Sequence, residues 1–587
     1  MKNKVVLLLT IFLLLTGCNI NKKTSSISNS STDGGNSSSI SSSSSESSSS
    51  SSSSEPTPPG PAEYGYDNYD GYYGELKWTD GEDLKNKLNI IIRNGYKPLR
   101  YTTSAGANWE SNTEADRALY DHEFVNVLYS NQDVFGEYTQ SSWQREHAFA
   151  ASLMTDSGTG DAVKFLGRAT DFHNLFAGSS NGNMSRGNKN YGVANPEDPF
   201  YQDRTVDGGY DGYSFDEKTF EPGHKDKGRL ARAIFYMATM YKDDEYDDVN
   251  GKTLKGLRVV EEDVPYVSGN CQFAIGHLSE LLEWNNSWNV DFLEMQHNES
   301  VYSHVFSKDG YAQGNRNPFV DYPTLVDYIF GDKQNQSGDL KYEKPTSYVL
   351  KTDTNDFSHY AIANAKRTYS VGETLSSSDF TIRKVYKNFT YTTAPSSEYT
   401  HSLLNHQFVV EDGETVTATI TAGEQTINYV LQIDSDNMQG CSYYSDFDKS
   451  GINNTIIGTD QTITRNGTQF TINVTSSSGY TIQNSSKPKG VKMGSKTYPV
   501  TSVILTTVNS YTLNSVYIAS CAANAESSYS LTIKVGEETV YSGTVSYDAN
   551  TTSVYGGKFS SKTGKVTYTF TGSSALIIGA VAFNEVS

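Results

Sequence analysis

Side chains that could do chemistry concentrate between residues 143 and 191. This stretch holds two imidazoles, several side chains with hard oxygen atoms and three guanidinium groups. The candidates are His147 and His173, then Glu146, Asp171 and Asn183, and finally Arg145, Arg168 and Arg186. Together they supply a base, ligands for a hard cation and donors for an anion, so they fit a reaction on an anionic substrate.

Hydrolysis of a phosphodiester needs each of these groups. A neutral imidazole can take a proton from water near pH 7, because its unperturbed pKa is about 6.5. A hard divalent cation neutralises charge on the phosphate and prefers carboxylate and amide oxygens, and Arg holds phosphate through paired hydrogen bonds. Zinc fits less well, because no Cys lies nearby and the two His follow no zinc spacing. The stretch therefore predicts a metal-dependent phosphodiester hydrolase.

The spacing limits how these residues can meet. Neighbouring side chains on a strand point to opposite faces, so Glu146 and His147 can serve one site only at a strand end or a bulge. Asn183 and the Arg three residues after it would share one face of a helix. Asn181 or Ser180 is the predicted cap of that helix. A strand and a short helix are thus expected to position the reactive groups.

Five short segments occur in a specific order. They are REH at 145–147, DFHNL at 171–175, NMSRGN at 183–188, KGRLARAIFYM at 227–237 and QGNRNPF at 313–319. In this order they resemble the endonuclease I family of secreted bacterial nucleases, which belongs to the His-Me finger (ββα-metal) group. The resemblance covers residues 74–332, less than half of the chain. It implies a ββα-metal fold and nuclease activity for that part.

The resemblance assigns roles by position. It implies that His147 is the general base and that Glu146 and Asn183 bind a single Mg²⁺, for which other divalent cations could substitute. The hairpin residues that would support the base are Asp171, His173 and Asn174. Some members hold the phosphate with an Arg between the hairpin strands; Arg168 is available for that role, and Arg186 is a second candidate for phosphate contact.

The chain is predicted to be α+β around the site and all-β beyond it. Apolar positions at three- and four-residue spacing predict helices over about 226–242 and 273–284. After residue 341, short alternating runs rich in Thr, Ser, Val and Tyr predict strands in sandwiches. The predicted domains are a His-Me finger nuclease with a helical surround at 63–340 and two all-β sandwich domains at 341–434 and 435–587.

The two β-rich segments carry less information about function. YSVGETL at 369–375 and DFTI at 379–382 resemble the opening of bacterial Ig-like domains. The segment at 435–587 has no recognisable motif, and it could contact glycans or the cell wall or act as a spacer. Cys441 and Cys521 could pair in an oxidising compartment.

The N-terminus is predicted to be a targeting signal. Lys2 and Lys4 precede an apolar run at 5–15, which is too short to cross a bilayer as a stop-transfer helix. The run leads into LTGC at 15–18, which resembles a bacterial lipoprotein signal with cleavage before Cys18 and acylation of that residue. An ordinary secretory signal is the alternative. The Ser- and Pro-rich stretch at 19–62 would be a disordered tether reaching roughly 35 Å, so the predicted location is extracellular and membrane-anchored.

The charge distribution limits how nucleic acid could bind. A net charge of −21 excludes a protein whose whole surface attracts nucleic acid. Residues 141–190, however, contain five cationic and four anionic side chains, so this segment has a small positive charge even without a bound metal. Phosphate contacts carry no sequence information, and no segment resembles a recognition helix. We therefore expect local, salt-sensitive and sequence-nonspecific binding.

The predicted function is that of a membrane-tethered extracellular endonuclease. It would cut DNA, with RNA as a further substrate, and leave 5′-phosphate ends as the resemblance implies. The alternative is a surface adhesion or binding lipoprotein with an inactive nuclease-like domain. That alternative is favoured by the sequence AFA at 148–150, where the family usually has a Pro, and by the long β-rich tail. A metal-dependent phosphomonoesterase is a third hypothesis.

Overall fold

The computed structural model describes most of the chain from residue 71 onward. The described residues are 71–101, 109–137, 142–154, 167–243, 246–247, 253–267, 270–306, 309–346, 356–453, 458–476, 482–525 and 527–586. The predicted signal with Cys18 and the predicted tether at 19–62 lie outside them. Across these described ranges, no helix is long and apolar enough to cross a membrane.

Among the described residues, α-helices occur only before residue 330. In chain order, α1 to α9 are Gly81–Arg93, Trp109–Ala115, Ala151–Met154, Ser180–Arg186, His224–Met240, Leu278–Ser287, Phe292–Ser303, Pro318–Asp321 and Leu325–Ile329. The helix α5 confirms the helix predicted over 226–242, and it is buried at every position from 226 to 240. Apolar side chains of α1, α6, α8 and α9 join it in one cluster, so α5 lies at the centre of the core.

Short strands lie between these helices. In chain order, β1 to β14 are Lys77–Trp78, Phe124–Val125, Val134–Phe135, Gln144–His147, Leu175–Gly178, Asn190–Tyr191, Gln202–Asp203, Tyr213–Phe215, Thr219–Pro222, Tyr246–Asp247, Thr253–Leu254, Arg258–Val259, Ala274–Ile275 and Gly338–Asp339. Mixed helix and strand content in this part, followed by strands beyond residue 356, confirms the predicted α+β class at that level.

The helix predicted over 273–284 begins later than expected. The first residues of that segment form β13, which pairs in parallel with β12, and α6 starts only at Leu278. The prediction was wrong there because the spacing of apolar residues does not separate the two elements. Ile275 of the strand and Leu278 of the helix are three residues apart, as two residues on one helix face would be.

The candidate site is built on two strands and a helix. Strands β4 and β5 pair antiparallel, with His147 opposite Leu175, and α4 follows β5 directly. The side chain of Ser179 accepts a hydrogen bond from the Gly182 N–H at 3.1 Å and so caps α4. The predicted cap at Ser180 or Asn181 was therefore wrong by one or two residues. The strand–strand–helix order is the one that a ββα fold requires, while the His-Me finger assignment itself stays a prediction.

Helix α4 packs closely on Tyr129. A Cβ atom added at Gly182 would lie 2.5 Å from the Tyr129 Cβ, so only Gly fits this approach. The Tyr129 backbone has a φ of 65°, and its N–H donates to the Asp226 carboxylate on α5 at 2.7 Å. The turn at Tyr129 thus joins α4 to the central helix.

Two packed sheets form the segment that follows residue 356. Strands β15 to β21 are Phe357–Ala363, Thr368–Ser370, Thr381–Tyr386, Tyr391–Thr393, Tyr399–His401, Thr415–Ala422 and Gln425–Asp434. Three of them form a sheet in the order β15-β17-β18, and four form a sheet in the order β16-β21-β20-β19. Their apolar residues make one core, as alternating runs predict, and the Ig-like assignment stays a prediction.

Two larger sheets form the C-terminal segment. Strands β22 to β33 are Tyr443–Asp446, Gln461–Arg465, Thr468–Ser476, Ile482–Ser486, Lys489–Met493, Val500–Thr507, Tyr511–Ala522, Ser528–Val535, Glu538–Ser546, Ser553–Gly564, Val566–Ser574 and Leu576–Glu585. One sheet has the order β25-β26-β33-β28-β31 with β22 beside β33, and the other has the order β23-β24-β27-β32-β29-β30. Cys441 and Cys521 are both buried free thiols, so their predicted pairing is wrong.

We expect Gly182→Ala to destabilise the protein by about 2 kcal/mol. Overpacking against Tyr129 costs about 3 kcal/mol, while the gain in helix propensity is only about 1 kcal/mol. Urea unfolding measures the difference. The matched control is Met184→Ala on the same helix, where the side chain is 69% exposed and the expected change is within about 0.5 kcal/mol. Equal stability of the two variants would contradict the close approach of α4 to Tyr129.

Candidate active site

Glu146 on β4 is a buried carboxyl group. It is 3% exposed, and its Oε1 accepts a hydrogen bond from the Tyr129 hydroxyl at 2.9 Å. The Nε of Arg186 lies 3.9 Å from the same oxygen, which is too far for a hydrogen bond. Burial raises the pKa of Glu146 from 4.5 to about 7, because the Arg186 charge and the Tyr129 hydroxyl offset only part of the lost hydration. The surrounding groups thus compensate the carboxylate charge incompletely.

Two tyrosines that the sequence did not indicate line this carboxyl. The Tyr129 O–H donates to Glu146, so the Tyr191 O–H is left to donate to the Tyr129 oxygen at 2.8 Å. Both side chains are buried. The chain has 41 Tyr, and no motif or spacing separates these two from the rest. Only the fold brings them to the site.

Asn183 on α4 approaches the same face of β4 as Glu146. Its amide nitrogen donates to the Gln144 side-chain oxygen at 3.1 Å and to the Arg145 carbonyl at 3.4 Å. Side chains alternate along a strand, so residues 144 and 146 share one face of β4. The Asn183 side chain, which bonds to Gln144, therefore lies on the same side of the strand as the Glu146 carboxyl. Within the described residues, no hydrogen bond engages the Asn183 Oδ1. The helix therefore places the Asn183 amide on the side of β4 that carries the buried carboxyl.

His147 is the last residue of β4, where the sequence required a shared site to lie. Its Nε2 lies 2.9 Å from the Ala169 carbonyl oxygen, which can only accept, so Nε2 carries the proton. In the neutral ring, Nδ1 is then the unprotonated nitrogen, and no other described residue makes a hydrogen bond to it. Burial lowers the pKa of His147 from 6.5 to about 4. The imidazole is therefore a neutral base at physiological pH.

The opposite face of β4 carries Arg145 beside His147. The His147 ring stacks on Tyr101, with 5.8 Å between ring centres and 29° between planes. The Arg145 guanidinium carbon lies 3.5 Å from the centre of the same Tyr101 ring and 4.1 Å from that of Trp109. One aromatic ring therefore contacts both the imidazole and a guanidinium group.

The two other arginines singled out by the sequence are buried. Arg186 is 1% exposed, and its Nη2 donates to the Ala148 carbonyl at 2.7 Å, directly after His147. Arg168 is 2% exposed, its Nη1 donates to the Lys255 carbonyl at 2.8 Å, and its guanidinium carbon lies 5.6 Å from the Tyr241 ring centre. Arg186 thus ties α4 to the residue that follows β4, and Arg168 packs against Tyr241; phosphate contact by either stays a prediction.

Asn174 and His173 hold the backbone around the site. The Asn174 side chain accepts a hydrogen bond from the Phe149 N–H at 2.6 Å and donates to the Phe149 carbonyl at 3.1 Å. The Asn174 carbonyl also accepts from the Ala148 N–H at 2.9 Å. The His173 Nε2 lies 3.0 Å from the Asn315 carbonyl, and burial lowers the pKa of His173 to about 3. Asn174 therefore fixes the chain that leaves His147, whereas His173 joins the hairpin to the loop at Asn315; the supporting role of both stays a prediction.

Asp171 joins the hairpin to α5 and to the loop after α7. Its Oδ1 accepts hydrogen bonds from the His173 N–H at 3.0 Å and the Gln313 amide at 2.9 Å. Its Oδ2 accepts from the hydroxyls of Tyr236 at 2.8 Å and Tyr241 at 2.9 Å. Burial raises the pKa of Asp171, and these four donors counteract the rise. Asp171 is therefore a fully bonded structural carboxyl, which fits its predicted supporting role.

The donor atoms of the site fit a hard divalent cation. Glu146 offers a carboxylate whose charge is incompletely compensated, and Asn183 offers an amide oxygen with its nitrogen already engaged. Carboxylate and amide oxygens are ligands that Mg²⁺ prefers, usually with several waters completing its shell. Clusters of three or more His, Cys, Asp or Glu that could hold a metal do not occur among the described residues. The described residues therefore fit an ion that has few protein ligands and several bound waters. They do not fit a structural metal site in which the protein supplies every ligand.

Comparisons with known proteins identify the family. A model of the family described as Endonuclease I matches residues 80–324. A curated protein from Bacillus subtilis (strain 168), named Extracellular ribonuclease, is 32% identical over 271 residues, which are 45% of this chain and 80% of the relative. Another Extracellular ribonuclease, from Bacillus amyloliquefaciens, is 31% identical over 265 residues, which are 44% of this chain and 78% of that one.

Solved structures add no argument about the fold. The structure of CBM51-2 in complex with GlcNAc and INT domains from Clostridium perfringens ZmpB aligns over 39% of this chain and 48% of its own, with 11% identity and a TM-score of 0.17. The sequence comparisons carry the assignment, because the Bacillus subtilis relative is matched over 80% of its own length. The family model, at residues 80–324, spans the strands and the helix that carry Glu146, His147 and Asn183. The chain therefore belongs to the endonuclease I family of nucleases.

Proposed function

We propose that the chain is an extracellular endonuclease that hydrolyses phosphodiester bonds in RNA and DNA without sequence preference. The observation that carries this proposal is the orientation of His147, whose Nε2–H is engaged by the Ala169 carbonyl and whose Nδ1 is left as a base. The carboxyl of Glu146, one residue before His147, and the Asn183 side chain, which bonds to Gln144 and Arg145 of the same strand, support a metal site next to this base. The Bacillus relatives, named as extracellular ribonucleases, support both the RNA substrate and the location.

A divalent cation such as Mg²⁺ would be held by Glu146 and Asn183. When bound, it supplies positive charge that stabilises the anionic phosphate and the oxygen that leaves it. The Glu146 carboxylate needs such a charge, since burial holds its pKa at about 7 without one. Arg186 contributes by positioning, because its guanidinium group lies between the Glu146 carboxyl and the Ala148 carbonyl.

His147 would activate the attacking water. Its Nδ1 takes the proton as the water oxygen attacks phosphorus, and the Ala169 carbonyl keeps the ring in the tautomer that this step needs. Because burial lowers the pKa of His147 to about 4, the ring is unprotonated before the reaction at neutral pH. Attack by water requires no 2′-hydroxyl, so the same residues can serve RNA and DNA. The expected products carry 5′-phosphate ends.

The location is proposed from the N-terminal segment. Cleavage before Cys18 and acylation of its thiol would anchor the chain, and residues 19–62 would separate the nuclease from the membrane. This arrangement suits an enzyme that cuts nucleic acid outside the cell.

Replacing the base tests the catalytic proposal. We expect His147→Ala to lower the initial rate of cleavage of single-stranded RNA and of supercoiled plasmid by about 10²- to 10⁴-fold in the presence of Mg²⁺. The matched control is His304→Ala, at an exposed His outside the site, which should cleave at the wild-type rate. Intact nucleic acid with the wild-type chain would favour the binding-protein alternative. Turnover of small phosphate esters without internal cuts would favour a phosphomonoesterase.

Glu146→Gln tests the charge at the metal site through folding stability. Because the folded pKa of about 7 exceeds the ordinary 4.5, the neutral carboxyl contributes stability that is complete below pH 4.5 and is lost as the pH rises through 7. Without divalent cations at pH 8, Glu146→Gln should therefore be more stable than wild type by about 3 kcal/mol. Thermal unfolding should show this gap closing towards pH 4.5.

The same unfolding assay detects the cation directly. At pH 8, added Mg²⁺ should raise the melting temperature of the wild-type chain, because it binds only the folded state. Neither Glu146→Gln nor Asn183→Leu should respond. An equal rise for all three chains, or no pH-dependent gap between wild type and Glu146→Gln, would contradict this role for the two residues.

Metabolic labelling tests the anchor. In a bacterial host, the full chain should incorporate labelled palmitate, and Cys18→Ala should not. Cys271→Ala is the control and should retain the label, because this Cys lies within the folded part of the chain. Label on Cys18→Ala, or none on the wild-type chain, would contradict acylation at Cys18.

A further inference from the structure

The side chain of Asn183 ends in two atoms of similar size and opposite character. Its carbonyl oxygen can bind a cation, whereas its NH₂ group only donates hydrogen bonds. A half-turn about the last side-chain bond exchanges the two atoms. A metal site that uses Asn183 therefore needs a neighbouring group that decides which of them faces the ion.

The strand β4 decides this orientation. The Arg145 backbone carbonyl can only accept a hydrogen bond, so the Asn183 atom 3.4 Å from it is the nitrogen. That nitrogen also lies 3.1 Å from the Gln144 side chain, so the Gln144 atom that faces it is the oxygen Oε1. The bond to Gln144 is the shorter one and lies within the usual range, whereas the contact with Arg145 is long. Gln144 is thus the main acceptor, and the Asn183 Oδ1 is left for a different partner.

The backbone around Asn183 is fixed, so only its side chain remains to be oriented. The Asn183 N–H donates to the carbonyl of the cap residue Ser179 at 2.9 Å. Gln144 lies opposite Gly178 in the β4–β5 pair, and Gly178 directly precedes that cap. A Cβ atom at Gly178 would lie 2.9 Å from the Glu146 Cβ, so this Gly keeps the space beside the Glu146 side chain open. The elements that carry Gln144 and Asn183 are therefore held in register, and the orientation of the amide is what Gln144 adds.

We infer that Gln144 is a positioning residue for the divalent-cation site: its Oε1 holds the Asn183 amide nitrogen, so that the Asn183 Oδ1 is presented to the ion. The inference rests on the proposed function, in which Asn183 is a metal ligand. Within the part of the chain that the structure describes, Gln144 makes no other side-chain hydrogen bond. Holding Asn183 is therefore the role that the contacts of Gln144 support.

Manganese binding by Gln144→Met in two backgrounds tests this role. Each full chain is titrated with Mn²⁺, which shares the oxygen preference of Mg²⁺, and the electron paramagnetic resonance signal of free Mn²⁺ gives Kd. The binding that Glu146→Gln removes is taken as binding at this site. Met has the length of Gln without its acceptor oxygen, so Gln144→Met should raise Kd about tenfold, as for other groups that orient a metal ligand. In a chain with Asn183→Asp, the same substitution should change Kd by less than about twofold, because a carboxylate presents an oxygen in either orientation.

Gln202→Met is the matched control and should bind Mn²⁺ as the wild-type chain does. Gln202 is exposed on the edge strand β7 and accepts a hydrogen bond from Arg204 at 3.1 Å, so its replacement removes a comparable acceptor outside the site. Gln144→Ala removes the same acceptor as Gln144→Met and should show the same dependence on the background. An equal rise of Kd in both backgrounds would indicate a merely structural role and would overturn the inference. An unchanged Kd for Gln144→Met, while the wild-type chain binds Mn²⁺, would overturn the inference alone. Absence of the Mn²⁺ site from the wild-type chain would overturn the metal site of the proposed function as well.

Discussion

The buried carboxyl of Glu146 is the constraint on which the site depends. A carboxylate that is 3% exposed needs a nearby positive charge, and the described residues supply a guanidinium group at 3.9 Å, a hydroxyl donor at 2.9 Å and a backbone hydrogen bond from His147. If these groups lay closer, they would compensate the carboxylate charge more fully, and the carboxylate would attract a cation less strongly. The incomplete compensation is therefore what makes the position suitable for a cation that arrives from solution.

The surrounding structure maintains this arrangement through buried polar contacts. Ser179 caps α4, Gly182 lets that helix approach Tyr129, and Tyr129 is bonded through its backbone to α5. On the other side, Asn174 brackets the chain that leaves His147, and Asp171 joins the hairpin to α5 through two tyrosine hydroxyls. Each of these groups has its hydrogen-bond partners, so the network is rigid and its geometry is maintained.

The sequence predicted the elements that carry the candidate residues, because short motifs and their order report on local structure. It placed His147 at a strand end, Asn183 on a short helix and the long helix near 226–242. It could not separate β13 from α6, since Ile275 and Leu278 have helical spacing in both states. Tyr129 and Tyr191 could not be predicted, because the contacts of Tyr129 with Glu146 and of Tyr191 with Tyr129 join separate parts of the chain. The burial of Arg168 and Arg186 depends on the same kind of contact.

Diffraction from crystals soaked in Mn²⁺ tests the central claim most directly. The ion scatters anomalously and shares the oxygen preference of Mg²⁺. We expect an anomalous peak in contact with a carboxylate oxygen of Glu146 and with the Oδ1 of Asn183, near the end of β4 that carries His147. A peak held by other residues, or ordered Glu146 and Asn183 side chains with no peak between them, would contradict it.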